Sequence, residues 1–354
     1  MDICISSFSF GNAFKNNLLN ALDFPAFCKS EFGVTQVEFF DADFFHDRDK
    51  VVHSIQELTP DGDYVRKVRE ACRSAGVSIV AIAAQNDFTN PDDEQRQADM
   101  DRVRKWIDIA AAVGAGVIRI NSGNHFADPD GGGRKRLLES LRQLGPAAKA
   151  RNITLAIENH PIELASVDEA KSLAGIAAEL REYGVATCPD SGHIEPQVWR
   201  EALEALFDRG RARHCHAEFY EFTDEGEEST IDYAAFFSIV RTKNYAGVFS
   251  VEVIPPATAA GPVSYRIAED ALKRMSEQGV PATATSKVRP LAAGRFLSIA
   301  ALDAAVASNL HAPEVREFRE TIRRCAEQLN PDFEMRKGAV RRAIQVLQRH
   351  GAPS

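Results

Sequence analysis

The sequence predicts an α/β protein, a single (β/α)8 TIM barrel with a C-terminal helical extension. Eight short runs rich in β-branched residues begin about 27 to 41 residues apart, which is the length of one βα unit. Apolar residues between these runs follow helical spacing, as in Gln95–Val113. Eight such units form a closed barrel more naturally than an open sheet. No Gly-x-Gly-x-x-Gly follows the first run, which argues against a dinucleotide-binding sheet.

Strand-like and helix-like segments alternate in order along the first 280 residues. The predicted strands are residues 3–6, 36–40, 77–83, 116–121, 153–158, 185–190, 212–217 and 248–253. Helical spacing recurs in Arg134–Ala150, Val167–Tyr183 and Pro196–Arg209. The catalytic barrel is therefore assigned to residues 1–280.

The remaining residues are predicted to form a linker and a helical extension. Residues 281–294 are rich in small residues and are assigned to the linker, and 295–354 to the extension. Helices are expected at 295–308, 313–329 and 333–350, with an interruption at Pro331. The extension is expected to pack on the barrel exterior or on another subunit, and a separate binding role is the alternative.

Bulk composition is that of a soluble globular protein. The chain has 354 residues, of which 44% are hydrophobic and 26% charged. Its beginning, Met1-Asp2-Ile3, lacks the basic start of a signal peptide, and no apolar run approaches the ~20 residues that cross a bilayer. A cytoplasmic protein without a membrane partner is expected. The six cysteines are scattered and are predicted to be buried, reduced thiols.

The charge distribution argues against a nucleic-acid partner. Residues 285–354 hold 12 Lys+Arg against 7 Asp+Glu, whereas the rest of the chain holds 30 against 44. Binding to a phosphate backbone depends on Lys and Arg that neutralise phosphates. Because the rest of the chain is acidic, nucleic acid is an unfavourable substrate.

Four strand-like runs end on a side chain that can bind a divalent cation: Glu158, Asp190, His216 and Glu252. Taken singly, each has a structural explanation, such as an exposed strand end or, for Asp190, a turn that caps the next helix. The carboxyl ends of all strands of a parallel barrel meet on one face, so the four are predicted to form one metal site. A buried carboxylate also needs a cation or water.

The predicted ligand set is rich in oxygen and contains one imidazole. Such a set suits Mn²⁺, with Mg²⁺, Co²⁺, Fe²⁺ or Zn²⁺ as alternatives. A cation of this kind can hold two oxygens of a hydroxy-carbonyl substrate and stabilise an enediolate. A neighbouring carboxylate can then move a proton on the adjacent carbon.

Four further side chains are candidates for binding substrate. His160 follows Glu158 in Glu-Asn-His-Pro, and Asn121 stands at the end of the fourth predicted strand. Glu38 lies near the end of the second strand, where it can bind substrate or an adjacent arginine. His193 follows Asp190 in Asp-Ser-Gly-His and faces either the site or the surface.

These residues resemble the xylose isomerase-like TIM-barrel superfamily, also called sugar phosphate isomerases/epimerases, over residues 1 to about 280. The resemblance implies metal binding by Glu158, Asp190, His216 and Glu252. It also implies that the two glutamates act as the acid/base pair and that His193 contacts substrate. The stretch His-Cys-His-Ala-Glu-Phe-Tyr-Glu-Phe is locally similar to catalytic subunits of C-glycoside deglycosidases, which often require a small partner subunit.

One departure from the family limits the choice of substrate. The ketose 3-epimerases carry an Arg shortly after the strand-seven histidine, whereas this chain continues Glu218-Phe219-Tyr220-Glu221-Phe222. The additional zinc ligands of endonuclease IV near strand seven are also missing from the sequence, which argues against DNA repair.

The sequence thus predicts a divalent-metal-dependent sugar or keto-sugar isomerase/epimerase that abstracts a proton α to a carbonyl through an enediolate. One alternative is a lyase or dehydratase of the same superfamily, which eliminates on a 3-keto-glycoside or dehydrates an inosose or dehydroshikimate. A non-catalytic barrel used for binding or assembly is the alternative from another class. The expected partners are a carbohydrate or cyclitol substrate and further copies of the chain in a homo-oligomer, with a small partner subunit as an additional candidate.

Overall fold

A computed structural model describes residues 1–15, 18–47, 53–128, 131–208, 211–254 and 313–351, with side chains in the last range from Asp332 onward. Eight parallel strands run around a barrel in the order β6-β5-β4-β3-β2-β1-β8-β7. Their bounds are β1 Asp2–Ser6, β2 Gln36–Phe40, β3 Ser78–Ala83, β4 Val117–Asn121, β5 Thr154–Glu158, β6 Val185–Cys188, β7 His214–Phe219 and β8 Val248–Val253. The structure confirms the predicted (β/α)8 barrel.

Short bridges connect the two end strands of this sheet, β6 and β7. Thr187 pairs with Ala212, and Asp190 pairs with His216, both in parallel. The His216 amide donates to the Pro189 carbonyl at 3.0 Å. The connection nearly closes the barrel and places the backbones of Asp190 and His216 side by side.

Helices alternate with the strands and cover the barrel. Their bounds are α1 Gly11–Lys15, α2 Phe24–Phe32, α3 Asp41–Phe44, α4 Asp63–Ala75, α5 Asp93–Val113, α6 Gly132–Ala150, α7 Val167–Glu179, α8 Trp199–Leu206, α9 Tyr233–Thr242 and α10 Pro313–Gly351. Side-chain caps fix several of the starts. Asp92 accepts from two amides at the start of α5, and Ser166 with Glu169 forms a capping box on α7. Within the described residues, no helix combines the length and apolar character of a membrane span.

The core surrounds strands whose side chains are buried on both faces, as expected for a parallel sheet. Phenylalanines dominate the region around β1, β2 and α2, where Phe24 makes edge contacts with Phe14 and Phe39. The five cysteines whose side chains are described are buried and free, which agrees with the prediction of reduced thiols.

The C-terminal helix α10 packs directly on the barrel. Its principal neighbours are β8 and α9, together with the 3₁₀ segment Ser7–Phe10 that follows β1. The predicted interruption at Pro331 is wrong, because α10 runs through this residue. Proline removes one helical hydrogen bond, and the packing of the following turns on the barrel offsets that loss. The predicted linker 281–294 and helix 295–308 lie outside the described residues.

Arg336 joins α10 to the rim of the barrel. The side chain is buried, and one of its terminal nitrogens donates to the backbone carbonyls of Ser9 at 3.2 Å and Val253 at 3.0 Å. Val253 is the neighbour of Glu252. The last helix therefore supports the strand end that carries a predicted ligand.

Replacing Arg336 with Met is expected to lower the free energy of unfolding by about 1–3 kcal/mol, because buried carbonyl groups lose their donor. Urea denaturation of the full chain measures the change. The matched control is Arg341→Met on the same helix. Arg341 is half exposed and pairs with Glu31, and exposed ion pairs contribute about 0–1 kcal/mol. Equal stabilities of the two variants would contradict a supporting role for Arg336.

Candidate metal and substrate site

The carboxyl ends of the strands surround a cavity of about 600 Å³. One part of it is lined by residues from β4 to β8 and the loops that follow them: Arg119, Asn121, Glu158, His160, His193, Glu218, Tyr220, Glu252 and Ile254. The other part is lined from the β1–β3 side and α5: Phe8, Phe40, Gln85, Asn86, Asp87, Asp99 and Arg102. The cavity occupies the face on which barrel enzymes form their active sites.

His216 lies at the centre of a buried charge cluster. Its Nδ1 contacts Oε1 of Glu158 and lies 3.3 Å from Oε2 of Glu252. Its Nε2 lies 3.2 Å from Oε1 of Glu38 on the opposite side. Burial alone would lower the pKa of His216, but the carboxylates of Glu252, Glu158 and Glu38 outweigh burial and raise that pKa well above its usual value. Three of the predicted site carboxylates thus converge on one imidazole.

Glu158 pairs with a buried arginine from the neighbouring strand. Arg119 on β4 places its Nε 3.3 Å from Oε2 of Glu158. Burial would raise the pKa of Glu158, but Arg119 and His216 outweigh it and hold the pKa well below its usual range. Asn121, two residues along β4, accepts a hydrogen bond of 2.6 Å from Arg119 and so fixes the guanidinium. The Glu158 carboxylate therefore faces a fixed positive charge.

Glu252 has a different environment from Glu158. Its Oε1 accepts a hydrogen bond of 2.8 Å from the Ser6 hydroxyl, and its side chain reaches the cavity. Within the described residues, the side chain that forms an ion pair with Glu252 is His216. The two predicted catalytic glutamates thus face one imidazole, but only Glu158 lies against an arginine.

Asp190 stands beside this cluster at the connection of β6 and β7. Its Oδ1 accepts from the Gly192 amide at 2.7 Å, and its own amide donates to Asn159 at 2.9 Å. Burial raises the pKa of Asp190 well above its usual value, and the charges of Glu218 and Glu158 raise it further. Ligand atoms of Asp190 lie within 4.8 Å of those of His193 and Glu218, whereas those of His216 group with Glu158 or with Glu252 among the described residues. Asp190 nevertheless lies close enough to Glu158 and His216 for their charges to affect its ionisation.

His193 belongs to a polar group that extends from Asp190 into the cavity. Its Nε2 lies 3.3 Å from Oε1 of Glu218 and 3.9 Å from Oδ2 of Asp190. Burial would lower the pKa of His193, but Asp190 and Glu218 raise it to about 10. The Tyr220 hydroxyl donates to the other oxygen of Glu218. The two carboxyl groups beside His193 thus favour the charged form of its imidazole.

A glycine makes room for this group. A Cβ on Gly192 would lie 1.6 Å from Oε2 of Glu218 and 2.5 Å from the Tyr220 hydroxyl oxygen. The Asp-Ser-Gly-His sequence thus brings backbone close to the Glu218 side chain, which an alanine at this position would displace.

The other predicted substrate-binding residues occupy two kinds of position. His160 and Asn121 line the cavity, and Nδ1 of His160 lies 3.3 Å from Oδ1 of Asn121. Burial lowers the pKa of His160 to about 4, and the positive charges of Arg119 and His193 contribute to that shift. Glu38 lies outside the cavity lining. Its carboxylate is fully buried and is bonded by His214 at 3.0 Å, by His216 and by the Ser250 hydroxyl.

The position of Glu38 differs from the predicted contact with substrate. Because Glu38 is near a strand end, its sequence position resembles that of Glu158. The side chain instead points into the barrel interior, where two imidazoles and a hydroxyl bind its two oxygens. Its position fits the support of His216 and not a contact with substrate.

The donor set of the cluster fits a divalent cation. Nδ1 of His216 and Oε2 of Glu158 are buried and have no aligned hydrogen bond among the described residues. Ligand atoms of Glu38, His216 and Glu252 lie within 4.8 Å of one another, as do those of Glu158, Cys188 and His216. Nε2 of His216 faces Glu38, which leaves Nδ1 for a cation in the carboxylate–histidine–metal arrangement common in proteins. Cys188, which groups with Glu158 and His216, is a less suitable ligand. Burial raises the pKa of its thiol well above the usual value and so disfavours the thiolate form that binds a metal.

Sequence patterns predicted part of this site and missed part of it. Arg119, Glu218 and Tyr220 line the cavity but were not among the predicted site residues. A signal for Glu218 exists in the sequence, because His214, His216 and Glu218 alternate along β7 and share one face. Arg119 alternates with Asn121 in the same way on β4. Their pairing with Glu158 depends on the register between β4 and β5, which the sequence does not specify.

A comparison with protein families finds one match. The profile described as "Xylose isomerase-like TIM barrel" matches residues 29–275, well over half of the chain. No curated protein matches the sequence.

Solved structures with a similar fold include sugar epimerases. The apo structure of 3-keto-D-glucoside 4-epimerase from E. coli superposes with a TM-score of 0.51 and 18% identity, covering 72% of this chain and 94% of that chain. D-psicose 3-epimerase from Clostridium cellulolyticum H10 with D-tagatose gives a TM-score of 0.55 at 13% identity, with coverages of 74% and 88%. D-allulose 3-epimerase from Methylomonas sp. with D-allulose superposes with a TM-score of 0.53 and 14% identity, covering 71% of this chain and 83% of that chain. At these identities the similarity establishes the fold alone.

Proposed function

Because the chain belongs to the xylose isomerase-like TIM-barrel family, we propose that it is a divalent-metal-dependent sugar or keto-sugar isomerase/epimerase. The observation that carries the proposal is the convergence of Glu158 and Glu252 on Nδ1 of the buried His216. A buried imidazole nitrogen between two carboxylates, with no aligned hydrogen bond, is a suitable ligand for a cation. The epimerases with similar folds support the same chemistry by analogy only.

We assign the cation to Glu158, Asp190, His216 and Glu252, with Mn²⁺ as the first choice. The set contains three carboxylates and one imidazole, which Mn²⁺ accepts readily. When bound, the cation supplies positive charge that polarises the substrate carbonyl and stabilises an enediolate. The charge of the cation would also stabilise the ionised form of Asp190, which burial and the neighbouring carboxylates disfavour.

Glu252 is the residue that we expect to remove the proton next to the carbonyl. Its carboxylate reaches the cavity, and a hydroxyl donor from Ser6 holds it in place. Glu158 is the weaker base of the two, since Arg119 lies against its carboxylate. Return of the proton by Glu252 to the neighbouring carbon gives isomerisation. Epimerisation instead requires a group that is protonated in the substrate complex on the opposite face of the same carbon, and Glu158 would fill that role only after taking up a proton from solvent.

A second candidate reaction is β-elimination, as in the lyases and dehydratases of this superfamily. The observation in its favour is His193, which lines the cavity and places Nε2 3.3 Å from Oε1 of Glu218, a carboxyl group that favours the protonated imidazole. An imidazolium there can donate a proton to a departing hydroxyl or alkoxide oxygen. The Glu252 carboxylate removes the proton in both reactions. The two differ in the next step, because the enediolate either takes up a proton at carbon or expels a leaving group.

The test is hydrogen–deuterium exchange at substrate carbons, followed by NMR in D₂O with Mn²⁺-loaded protein. A panel of ketoses, inososes and 3-keto-glycosides serves as substrates, and chelator-treated protein is the control. We expect exchange at a carbon α to the carbonyl, which is lost with the chelator and restored by Mn²⁺. Exchange without elimination supports the isomerase, whereas release of water or an aglycone supports the lyase. Absence of exchange on every compound would contradict both.

A further inference from the structure

We propose that the C-terminal helix α10 and the chain at the ends of β7 and β8 form a binding site for a small organic anion with an apolar body. The site is a cavity of about 300 Å³, with Phe222, Met335 and Arg342 among its walls. It adjoins the larger cavity, because Tyr220 and Ile254 line both. None of the four proposed metal ligands lines it, so the inference goes beyond the proposed function and does not depend on it.

The C-terminal helix forms one side of this smaller cavity. Four of its residues line the space: Met335, Arg336, Ala339 and Arg342. Ala339 follows the first two by four and three residues and precedes Arg342 by three, and this spacing puts all four on one side of α10. The match to the family profile ends at residue 275. This wall is therefore a feature of the C-terminal extension, for which the sequence left a binding role open.

Arg342 brings a positive charge without a carboxylate partner to the cavity. Its guanidinium carbon lies over the Phe222 ring, 5.0 Å from the centroid, and it forms no ion pair among the described residues. The adjacent Arg341, in contrast, pairs with Glu31. Glu221 also lines the cavity, but it is not paired with Arg342 in the described part of the chain. A guanidinium that is stacked on an aromatic ring keeps its N–H edge available for an anion.

Arg336 supplies a second guanidinium from the wall. The side chain is buried, and Nη1 is occupied by the carbonyls of Ser9 and Val253. Nη2 donates to no described residue, and the buried Nε has no aligned hydrogen bond, with Asp332 at 3.7 Å. Leaving a buried N–H group without an acceptor costs free energy, and the acidic group of a ligand supplies that acceptor. Two guanidinium groups thus favour an anion in this cavity.

Much of the remaining wall is apolar. Val253 and Ile254 line it from the end of β8, and Ala339 lines it from α10. Met335 is 46% exposed although its side chain is large and apolar, and a ligand that covers it gains the free energy of burying that surface. The volume lies at the lower end of the roughly 300–1,000 Å³ of small-molecule sites. A single ring that carries a carboxylate or phosphate group fits both the size and the walls.

The experiment measures binding of benzoate, phenyl phosphate, benzamide and inorganic phosphate to the full chain by isothermal titration calorimetry. Benzamide has the size of benzoate without its charge, and inorganic phosphate has the charge without an apolar body. We expect benzoate or phenyl phosphate to bind at least about tenfold more tightly than both of these controls, because charge-assisted hydrogen bonds to arginine add to apolar burial. The tighter of the two identifies the acidic group. Mn²⁺-loaded and chelator-treated protein are expected to give the same affinities.

Two variants locate the binding site. Arg342→Gln is expected to weaken binding of the anionic ring compound at least about tenfold and to leave benzamide unchanged. Met335→Ser is expected to weaken both several-fold, because it removes apolar contact. Both positions are exposed, so neither change removes core packing. Arg341→Gln is the matched control. It removes an exposed arginine of the same helix that pairs with Glu31 outside the cavity lining, and it is expected to change no affinity.

The outcomes separate this inference from the proposed function. Equal binding of benzoate, phenyl phosphate and benzamide, or an unchanged affinity in Arg342→Gln, would overturn the anion site even if exchange in D₂O is metal-dependent. Failure of every probe to bind would overturn it as well. Binding that requires Mn²⁺ would place the anion on the metal and so contradict this site. Metal-independent binding that is lost in Arg342→Gln supports the site, whether or not any sugar exchanges its protons.

Discussion

Replacement of Glu252 with Gln is expected to lower kcat by about 10²- to 10⁴-fold, the usual contribution of general acid–base catalysis. The carboxylate reaches the cavity, and its geometry is set by the hydrogen bond of 2.8 Å from Ser6. Glutamine keeps the size of the side chain and an oxygen that accepts from Ser6, but it cannot take up a proton. KM is expected to change much less than kcat, because the variant removes a group that acts in the transition state.

The measurement is the rate of exchange or turnover for the best compound of the D₂O panel, with the metal content of the variant determined on the same sample. If the variant retains its cation, the loss of rate belongs to proton transfer and not to metal binding. Glu139→Gln on the exposed face of α6 is the control and is expected to retain wild-type kcat. A Glu252→Gln variant with wild-type kcat would eliminate Glu252 as the base.

Replacement of Glu38 with Gln is expected to weaken Mn²⁺ binding by about 10- to 100-fold, the usual effect of changing a residue that orients a metal ligand. Nε2 of His216 lies 3.2 Å from Oε1 of Glu38, so Glu38 can hold the imidazole proton on Nε2 and leave Nδ1, which faces Glu158 and Glu252, for the cation. The negative charge of Glu38 also raises the basicity of that imidazole. An amide at this position loses the charge and can present an N–H group to His216.

Titration of metal-free protein with Mn²⁺, followed by electron paramagnetic resonance of the free ion, measures this affinity. His214→Gln is the matched control, because His214 binds the same carboxylate at 3.0 Å but is not a proposed ligand. The control is expected to weaken Mn²⁺ binding less than Glu38→Gln does. An unchanged affinity in Glu38→Gln would mean that His216 does not bind the cation through Nδ1 with Glu38 as its support.

The strands were predictable because they depend on local patterns, and the four ligands were proposed from the residues at their ends. Short β-branched runs at βα spacing define a barrel, and a parallel barrel brings all carboxyl strand ends to one face. The structure confirms that architecture and brings Glu158, His216 and Glu252 into contact. Which of these side chains hold a cation remains a prediction.

Other features depend on interactions that no local pattern reports. The ion pair of Arg119 with Glu158 requires the register of β4 on β5, in which Asn121 pairs with Glu158. Glu38 points inward because His214, His216 and Ser250, from two distant strands, supply its partners. The continuation of α10 through Pro331 reflects tertiary packing on β8 and α9, which overrides the local preference of proline to break a helix.

The most direct test is the metal content of the full chain after loading with Mn²⁺ and dialysis, measured by elemental analysis. About one ion per chain is expected for the wild-type protein, because one set of ligands surrounds His216. Glu158→Ala and Glu252→Ala are each expected to lose that ion, whereas Glu139→Ala retains it. A wild-type protein without stoichiometric divalent metal, or full retention of the ion in both variants, would contradict the assignment of Glu158, Asp190, His216 and Glu252 as the metal site.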